Sequence, residues 1–236
     1  FFLALFKFLI FYVCLYYEKY YWIKRIDKNT FLGIFGTSSA KRFSNKINCK
    51  DLRPVLSEYK IKKSASFKKT KIVLAGSLNS TFSKNTLNLF RKISIHFKEN
   101  KEILFYLYGH EIKNKNQYSG NINLIKNSKD FETQLEKYNI FMMPSNYYVG
   151  VRTRLCSALA AGNYCIVSKS ILYNMPEIKN CSSVKIVNNN ESEFIDEILN
   201  YSSFPIRKKI KLKKISNNFF LKNYTKNFSG KKFLLS

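Results

Sequence analysis

The chain has 236 residues and carries 41 Lys and Arg against 15 Asp and Glu, a formal net charge of +26. Hydrophobic residues make up 45% and aromatic residues 16% of it, so most of the chain is expected to fold around a core rather than stay disordered. Its eight Gly and four Pro exclude collagen-like and low-complexity classes. The length fits one large domain or two small ones.

The positive charge is mostly lysine, because only seven of the basic residues are Arg. Lys, Asn, Ile, Phe and Tyr share A/T-rich codons, so genome composition accounts for much of the excess. Net charge bears on solubility and non-specific binding rather than on fold. A dedicated polyanion site stays open as the other interpretation, but no specific nucleic-acid partner is predicted.

The chain begins with Phe1 rather than Met, and we expect it to be part of a longer protein. Residues 1–17 are almost wholly apolar, whereas a membrane-spanning helix needs about 20 apolar residues. Three interpretations stay open: a truncated membrane segment, an interfacial helix, and a buried helix whose partner domain is missing. A signal peptide is not expected, since no small-residue cleavage site follows.

A regular alternation of strands and helices begins at residue 71. Before it, residues 31–39 predict one strand and a turn, and the Lys/Ser-rich residues 60–71 predict a linker. Apolar runs closed by turn residues predict strands, and apolar residues at helical spacing predict helices. The predicted elements are strands at 71–76, 103–109, 122–125, 140–145, 165–168 and 184–187, and helices at 84–97, 130–138, 151–161 and from Asn190.

Continuous apolar strands that alternate with amphipathic helices indicate a parallel sheet covered on both faces. We therefore predict an α/β fold with a doubly wound, Rossmann-like parallel sheet. The predicted division is an apolar helix, an N-terminal remnant and a linker at 1–66, the Rossmann-like domain at 67–204, and a basic C-terminal helix or tail at 205–236. Such sheets bind ligands at the carboxyl ends of their strands.

Several common site types are missing from the sequence. It has no P-loop, GxGxxG or HExxH motif. No Asp-x-Asp pair occurs, so a metal–diphosphate clamp of that type is lacking. The five Cys are widely spaced and predict reduced thiols rather than a zinc site or a disulfide framework. His96 is expected to be exposed, whereas His110 follows a strand and is either a turn residue or a ligand-site residue.

The most informative stretch is IFMMPSNYYVGVRTRLCSALAAGNYCIVS, at 140–168. A strand runs through a turn and Gly150 into a helix, and glycine lets the backbone approach a ligand closely. The first N–H groups of that helix form an anion site, and arginine suits bidentate phosphate contact. The residues concerned are Val151, Arg152, Thr153 and Arg154. The alternative is a solvated basic helix start.

This stretch, with the MPEI that follows, resembles the donor-site segment of glycosyltransferases of the GT-B fold, in the broad group 1, family 4-like class. IVLAGSL at 72–78 is similar to the first strand and glycine turn of their C-terminal domain, and LYGHE at 107–111 to the second strand. The resemblance covers about 71–202 and extends loosely back to Phe31. It is strongest in the Gly-Val-Arg-Thr-Arg helix start and the Ala-Leu-Ala-Ala-Gly helix end.

The resemblance implies a hexosyltransferase-type enzyme that transfers a sugar from a nucleotide-diphosphate-sugar donor to a glycan or lipid-linked acceptor, as in polysaccharide biosynthesis. It implies no cofactor and no metal. The expected location is the cytoplasm, with peripheral association at the inner face of the membrane, because the basic tail suits an anionic membrane surface. Residues 1–66 are too few for an acceptor domain, so the chain would be the donor half and inactive alone.

The sequence departs from the family's donor-site pattern at four points. Ser157 stands where a glutamate usually holds the donor ribose, Ser77 replaces an arginine, Lys84 is a shifted lysine, and the earlier glutamate is absent. Glu177 matches a Pro-Glu turn and is predicted to be a cap or turn residue. No catalytic residue is assigned. The full implied donor set is Gly76, Ser77, Lys84, Gly150, Val151, Arg152, Thr153, Arg154 and Ser157.

These departures keep two other functions open. One is a non-catalytic, membrane-peripheral protein with a degenerate glycosyltransferase fold, which the lost glutamate and the missing half favour. The other is a basic nucleic-acid-binding domain. That function would need aromatic side chains interleaved with Lys on an exposed face, whereas the aromatics here lie mainly in the predicted strands, so it ranks last.

Overall fold

The computed structural model describes residues 32–35, 49–52, 56–59, 61, 66–75, 81–108, 121–125, 131–145 and 152–225. The chain divides into two compact units, Phe1–Leu52 and Arg53–Ser236. In the first unit, β1 (Leu32–Phe35) pairs in parallel with β2 (Cys49–Leu52). The strand predicted within 31–39 is confirmed. The apolar residues 1–17 lie outside the described residues.

The second unit contains the predicted alternation of strands and helices. Its strands are β3 (Thr70–Ala75), β4 (Ile103–Tyr108), β5 (Ile122–Ile125), β6 (Ile140–Met143), β7 (Tyr164–Ser168) and β8 (Val184–Val187). Its α-helices are α1 (Thr81–His96), α2 (Phe131–Leu135), α3 (Thr153–Ala160), α4 (Glu191–Ser203) and α5 (Ile206–Tyr224). Two 3-10 helices that the sequence did not predict, Lys169–Tyr173 and Pro176–Asn180, lie between β7 and β8.

The six strands of the second unit are all parallel and lie in the order β5-β4-β3-β6-β7-β8. The chain thus builds one half of the sheet outward from β3 and then returns to build the other half outward from β6. This is the doubly wound Rossmann arrangement. The predicted fold class is confirmed.

Helices cover both faces of this sheet, because strand side chains alternate between two separate cores. On one face, Ile72 and Leu74 pack with Phe90 of α1 and Phe194 of α4. On the other, Val73 packs into a core with apolar residues of α2 and α3. Near-continuous burial of β3, β6 and β7 follows from this two-sided cover.

The basic helix predicted for the C-terminal segment is present as α5, and it packs against α3, a contact that the sequence did not predict. It buries a stripe at four-residue spacing, Leu212, Ser216, Phe220 and Tyr224. The Leu56 N–H also donates a 2.8 Å hydrogen bond to the Tyr224 carbonyl, which ties the start of the unit to the end of α5. The division at 66/67 and 204/205 stays a prediction.

No described helix combines the length and apolar character that a membrane span requires.

Candidate functional site

The strand order of the sheet reverses between β3 and β6, which pair with Ile72 opposite Ile140. Doubly wound sheets bind their ligands at the carboxyl ends of the strands beside such a switch point. The segment after β6 leads directly to α3, so the N-terminus of α3 belongs to this edge of the sheet. The start of α3, where several donor-binding residues are predicted, thus lies at the edge of the sheet where this fold class binds ligands.

The structure describes five of the nine predicted donor-binding residues at least in backbone. Arg152, Thr153, Arg154 and Ser157 are brought together on α3 and the residue before it. Lys84 lies in the first turn of α1, with its side chain outside the described residues. The other four also lie outside them: Gly76, Ser77, Gly150 and Val151.

The N-terminus of α3 has no side-chain cap. Arg152 is its N-cap residue, with an extended backbone (φ −88°, ψ 91°). The Arg152 carbonyl accepts hydrogen bonds from the N–H groups of Leu155 (2.9 Å) and Cys156 (3.1 Å). Among the described residues, the N–H groups of Thr153 and Arg154 meet no acceptor. The positive end of the helix dipole is therefore available to an anion.

The predicted side chains of α3 lie on its solvent-facing side. Thr153 and Arg154 are exposed, and Ser157, half-buried, follows them by four and three residues. Residues at these spacings are neighbours on one helix face. The opposite side, which includes Leu155 and Leu159, is fully buried in the core. The core packing thus fixes which side of α3 faces solvent.

Arg152 is held in place by a contact that the sequence did not predict. Its N–H donates to the Met175 sulfur at 3.5 Å, and Met175 is fully buried. Met175 directly precedes the second 3-10 helix, 23 residues further along the chain. The Met-Pro-Glu-Ile segment therefore forms a turn and also accepts a hydrogen bond from the start of α3.

A small polar network fixes the turn that leaves β6. The Ser145 N–H donates to the Ser168 hydroxyl at 2.9 Å, and that hydroxyl donates to the Asn189 side chain at 2.5 Å. The Ser170 hydroxyl donates to the Ser145 carbonyl at 2.8 Å. Ser168 at the end of β7 and Ser170 in the following 3-10 helix therefore hold the N–H and the carbonyl of Ser145, from which the chain continues to α3.

The far end of α3 closes in a Schellman motif at Gly162, the last residue of the Ala-Leu-Ala-Ala-Gly segment. Gly162 has φ +80° and donates to Leu159 (3.0 Å), while Asn163 donates to Ala158 (3.0 Å). The Asn163 side-chain amide then donates to the carbonyls of Leu135 (3.0 Å) and Tyr138 (2.8 Å). The axis of α3 is thereby fixed relative to α2.

Helix α5 supports the same end of α3. The Ser216 hydroxyl donates to the Asn163 carbonyl at 2.9 Å, and the Asn217 amide donates to the Ala160 carbonyl at 2.6 Å. A buried helix end with satisfied carbonyls is a stable anchor. The open N-terminus of α3 is thus presented by a helix that is fixed at its other end.

Glu177 and His96, which the sequence also singled out, do not belong to the α3 cluster. Glu177 lies in the first turn of a 3-10 helix and accepts a hydrogen bond from the Tyr224 hydroxyl (2.5 Å), a contact that suits the predicted turn role. His96 is exposed, as predicted, near the end of α1. His110 lies outside the described residues.

No protein-family profile and no curated protein matches the sequence at a significant level. Solved structures do match it. A Staphylococcus aureus TarM mutant, solved with fondaparinux, alpha-GlcNAc-glycerol and UDP, shares 15% sequence identity with this chain at a TM-score of 0.74. The match covers 92% of this chain and 45% of the TarM chain. Anabaena HepE, solved with UDP and glucose, shares 10% sequence identity at a TM-score of 0.68. That match covers 86% of this chain and 61% of the HepE chain.

A glycosyltransferase from Rickettsia africae shares 12% identity at a TM-score of 0.68, over 92% of this chain and 65% of its own. The chain thus spans between about half and two thirds of the length of these structures. At such identities the likeness concerns the fold. The chain has the fold of one half of a GT-B glycosyltransferase, with a Rossmann-like parallel sheet.

Proposed function

We propose that this chain is the nucleotide-sugar-binding half of a glycosyltransferase. The whole enzyme would transfer a hexose from a nucleotide-diphosphate donor to a glycan or a lipid-linked acceptor. The observation that carries the proposal is the open N-terminus of α3, with Arg152 and Arg154 beside it, at the switch point of the sheet. Half of such a fold binds one substrate, so transfer would need a second domain.

The charges at this site suit a diphosphate. The helix N-terminus supplies about half a positive charge and two unbonded N–H groups. The two guanidinium groups add two full charges and can bind phosphate oxygens bidentately. Only seven residues of the chain are Arg, so codon bias toward Lys does not explain two of them at one helix start.

The same groups provide the chemistry. In sugar transfer the bond between the anomeric carbon and the diphosphate breaks, and negative charge develops on the leaving diphosphate. N–H groups and guanidinium groups that are already fixed around that charge stabilise the transition state more than they stabilise the bound nucleotide sugar. The fixed axis of α3 supplies this preorganisation. We propose that these groups neutralise the diphosphate without a metal ion.

The comparisons support UDP as the first nucleotide to test, since UDP is bound in the TarM and HepE structures. Calorimetry on the full 236-residue chain should detect binding of UDP or GDP. Arg152→Ala and Arg154→Ala should each weaken it about tenfold to a hundredfold, as expected for a charge-assisted contact. Arg207→Ala, an exposed arginine on α5, is the matched control and should leave the affinity unchanged.

Two results would contradict the proposal. One is the absence of binding heat for both nucleotides at millimolar concentration. The other is an equal loss of affinity in all three arginine variants, which would indicate general electrostatic attraction instead of a site at α3.

A second candidate function is nucleotide binding without sugar transfer. Ser157 favours it, because a hydroxyl holds a ribose more weakly than the charged glutamate that the resembling family carries at this position. Ser157→Glu should then tighten UDP binding if the ribose lies over this face of α3. Release of sugar from a UDP-sugar by the longer protein would favour the transferase, and nucleotide binding with no turnover would favour this candidate.

A further inference from the structure

The outer face of α5 carries positive charge that the fold does not use. The helix has seven Lys and Arg and no acidic residue. Two of its lysines serve the fold: Lys209 is buried and donates to the Ser202 carbonyl at 2.8 Å, and the Lys208 ammonium lies 3.2 Å from the centre of the Phe204 ring. Burial also lowers the pKa of Lys209.

Three other cations project from the helix and have no partner among the described residues. Arg207, Lys211 and Lys214 are exposed, and within the described part of the chain none of them makes an ion pair or a hydrogen bond. At 100° per residue they fall within one 60° sector of the helix. Because the buried stripe lies on the opposite side, this cluster faces away from the core.

Two large apolar side chains border these cations. Ile206 is 59% exposed and Ile210, one turn later, is 42% exposed. Residues four apart are neighbours on a helix surface, so the two isoleucines form one apolar ridge. Leu199, near the end of the preceding α4, is 46% exposed. Scattered exposed apolar residues need no explanation, but an isoleucine pair beside three unpaired cations is a specific combination.

We propose that the N-terminal half of α5 docks on an anionic lipid bilayer. In this geometry Arg207, Lys211 and Lys214 contact the headgroups, while Ile206 and Ile210 enter the boundary between headgroups and acyl chains. Cations attract the anionic surface, and apolar side chains add the burial that cations alone lack. A nucleic-acid surface would need exposed aromatic side chains for base stacking, and none is exposed on α5.

This inference does not depend on sugar transfer, and vesicle binding tests it directly. The full chain is mixed with vesicles of phosphatidylcholine, with and without phosphatidylglycerol, and the bound fraction is measured by flotation. We expect binding to the anionic vesicles that weakens as salt is raised. Arg207→Glu/Lys211→Glu/Lys214→Glu should lower the partition coefficient about a hundredfold or more, since each cation contributes about fivefold.

Two further variants make the test specific. Ile206→Ser/Ile210→Ser keeps every charge and should still lower the partition about tenfold. Lys92→Glu/Lys98→Glu/Lys101→Glu removes the same net charge from exposed positions on α1 and the turn after it, and should change binding far less. Circular dichroism checks that each variant is folded.

Three outcomes would overturn the proposal. Equal losses in the α5 and α1 charge variants would mean that net charge alone drives binding. Unchanged binding in both α5 variants would place any membrane contact elsewhere in the chain. Tighter binding to an oligonucleotide than to anionic vesicles, lost in the α5 charge variant, would make this face a nucleic-acid surface.

Discussion

The hydroxyl of Tyr164 donates a 2.6 Å hydrogen bond to the carboxylate of Glu197 inside the sheet domain. Tyr164 begins β7 and is 6% exposed, and Glu197 lies in α4 and is 5% exposed. The same carboxylate accepts from the Asn200 amide and lies 3.5 Å from the Lys185 ammonium. A buried charge is tolerated when it is hydrogen-bonded in this way, so the contact holds α4 on the sheet.

Replacing Tyr164 by Phe should destabilise the domain by about 1.5–3 kcal/mol, because the variant removes a hydrogen bond to a charged, buried acceptor. Urea unfolding followed by circular dichroism measures the change as a lower midpoint with an unchanged slope. Tyr173→Phe is the matched control, since that side chain is 73% exposed. Equal stability of wild type and Tyr164→Phe would contradict the buried contact.

The same tyrosine predicts an alkaline loss of stability. Burial, and then the hydrogen bond to Glu197, raise the pKa of Tyr164 above its ordinary 10.0. Above pH 10 the unfolded state therefore releases a proton that the native state keeps, and the free energy of unfolding falls as pH rises. Below pH 10 this proton makes its full contribution to the free energy of unfolding. Above pH 10 that contribution falls by up to about 1.4 kcal/mol per pH unit.

Phenylalanine has no such proton, so the advantage of wild type over Tyr164→Phe should shrink as pH rises above about 10. Other buried groups that titrate in this range, including Tyr138, whose pKa burial raises to about 12, are common to both proteins and cancel in the difference. Unfolding curves at matched pH values between about 8 and 11 measure this difference. Parallel stability curves for the two proteins would refute the assignment.

Much of this architecture could be predicted from the sequence because local patterns report it. The strands at Ile122–Ile125 and Val184–Val187 match their predictions, since each is an apolar run with clear limits. The predicted start of α4 at Asn190 is confirmed by its side-chain hydrogen bond to the Glu193 N–H (2.9 Å). A cap of this kind depends on residues only three positions apart.

The features that the sequence missed depend on contacts distant along the chain. The contact between Arg152 and Met175 and the hydrogen bonds of Ser168 join residues more than twenty positions apart. The inner stripe of α5 includes a buried serine, Ser216, and the helix also buries Lys209, so the sequence predicted a basic helix or tail without a packed face. The arginines of α3 could be found because they lie next to a glycine at a helix start.

Replacing Gly162 by Ala should destabilise the domain by about 1–3 kcal/mol. The residue has φ +80°, which side chains other than glycine's rarely adopt. A Cβ there would also lie 2.5 Å from Cγ of Lys213, 2.8 Å from Cδ1 of Ile61 and 3.0 Å from the Lys213 carbonyl oxygen. Thermal or urea unfolding measures the loss.

A double-mutant cycle separates these two causes. Lys213→Ala removes the Cγ clash but neither the backbone conformation nor the clash with the carbonyl oxygen. The Gly162→Ala/Lys213→Ala variant should therefore be more stable than the sum of the single losses predicts, without recovering wild-type stability. Additive losses would mean that the Lys213 Cγ clash contributes nothing, and that the backbone conformation and the remaining contacts account for the effect.

Ser168 should act as a positioning residue for the donor site. Ser168→Ala removes the hydroxyl that accepts from the Ser145 N–H. The turn that leads to α3 then loses one of the two hydrogen bonds that fix the Ser145 backbone. We expect a stability loss of about 1 kcal/mol and a UDP affinity lowered severalfold, measured at a temperature where the variant is folded. Ser203→Ala, at an exposed position on α4, should change neither quantity. An unaltered UDP affinity in folded Ser168→Ala would mean that the turn does not position the site.

Nucleotide binding should not depend on a divalent metal, because two arginines and an open helix N-terminus can balance the diphosphate charge. The sequence also lacks the Asp-x-Asp pair of a metal clamp. UDP titrations in excess EDTA and in millimolar Mg²⁺ should give affinities within about twofold of each other, about 0.4 kcal/mol. The same pair of titrations on Arg154→Ala is the sharper test: if Mg²⁺ restored its affinity, a cation could take over the role assigned to the guanidinium. Loss of binding by wild type in EDTA would refute the metal-free proposal and leave the position of the site at α3 to be tested by the arginine variants.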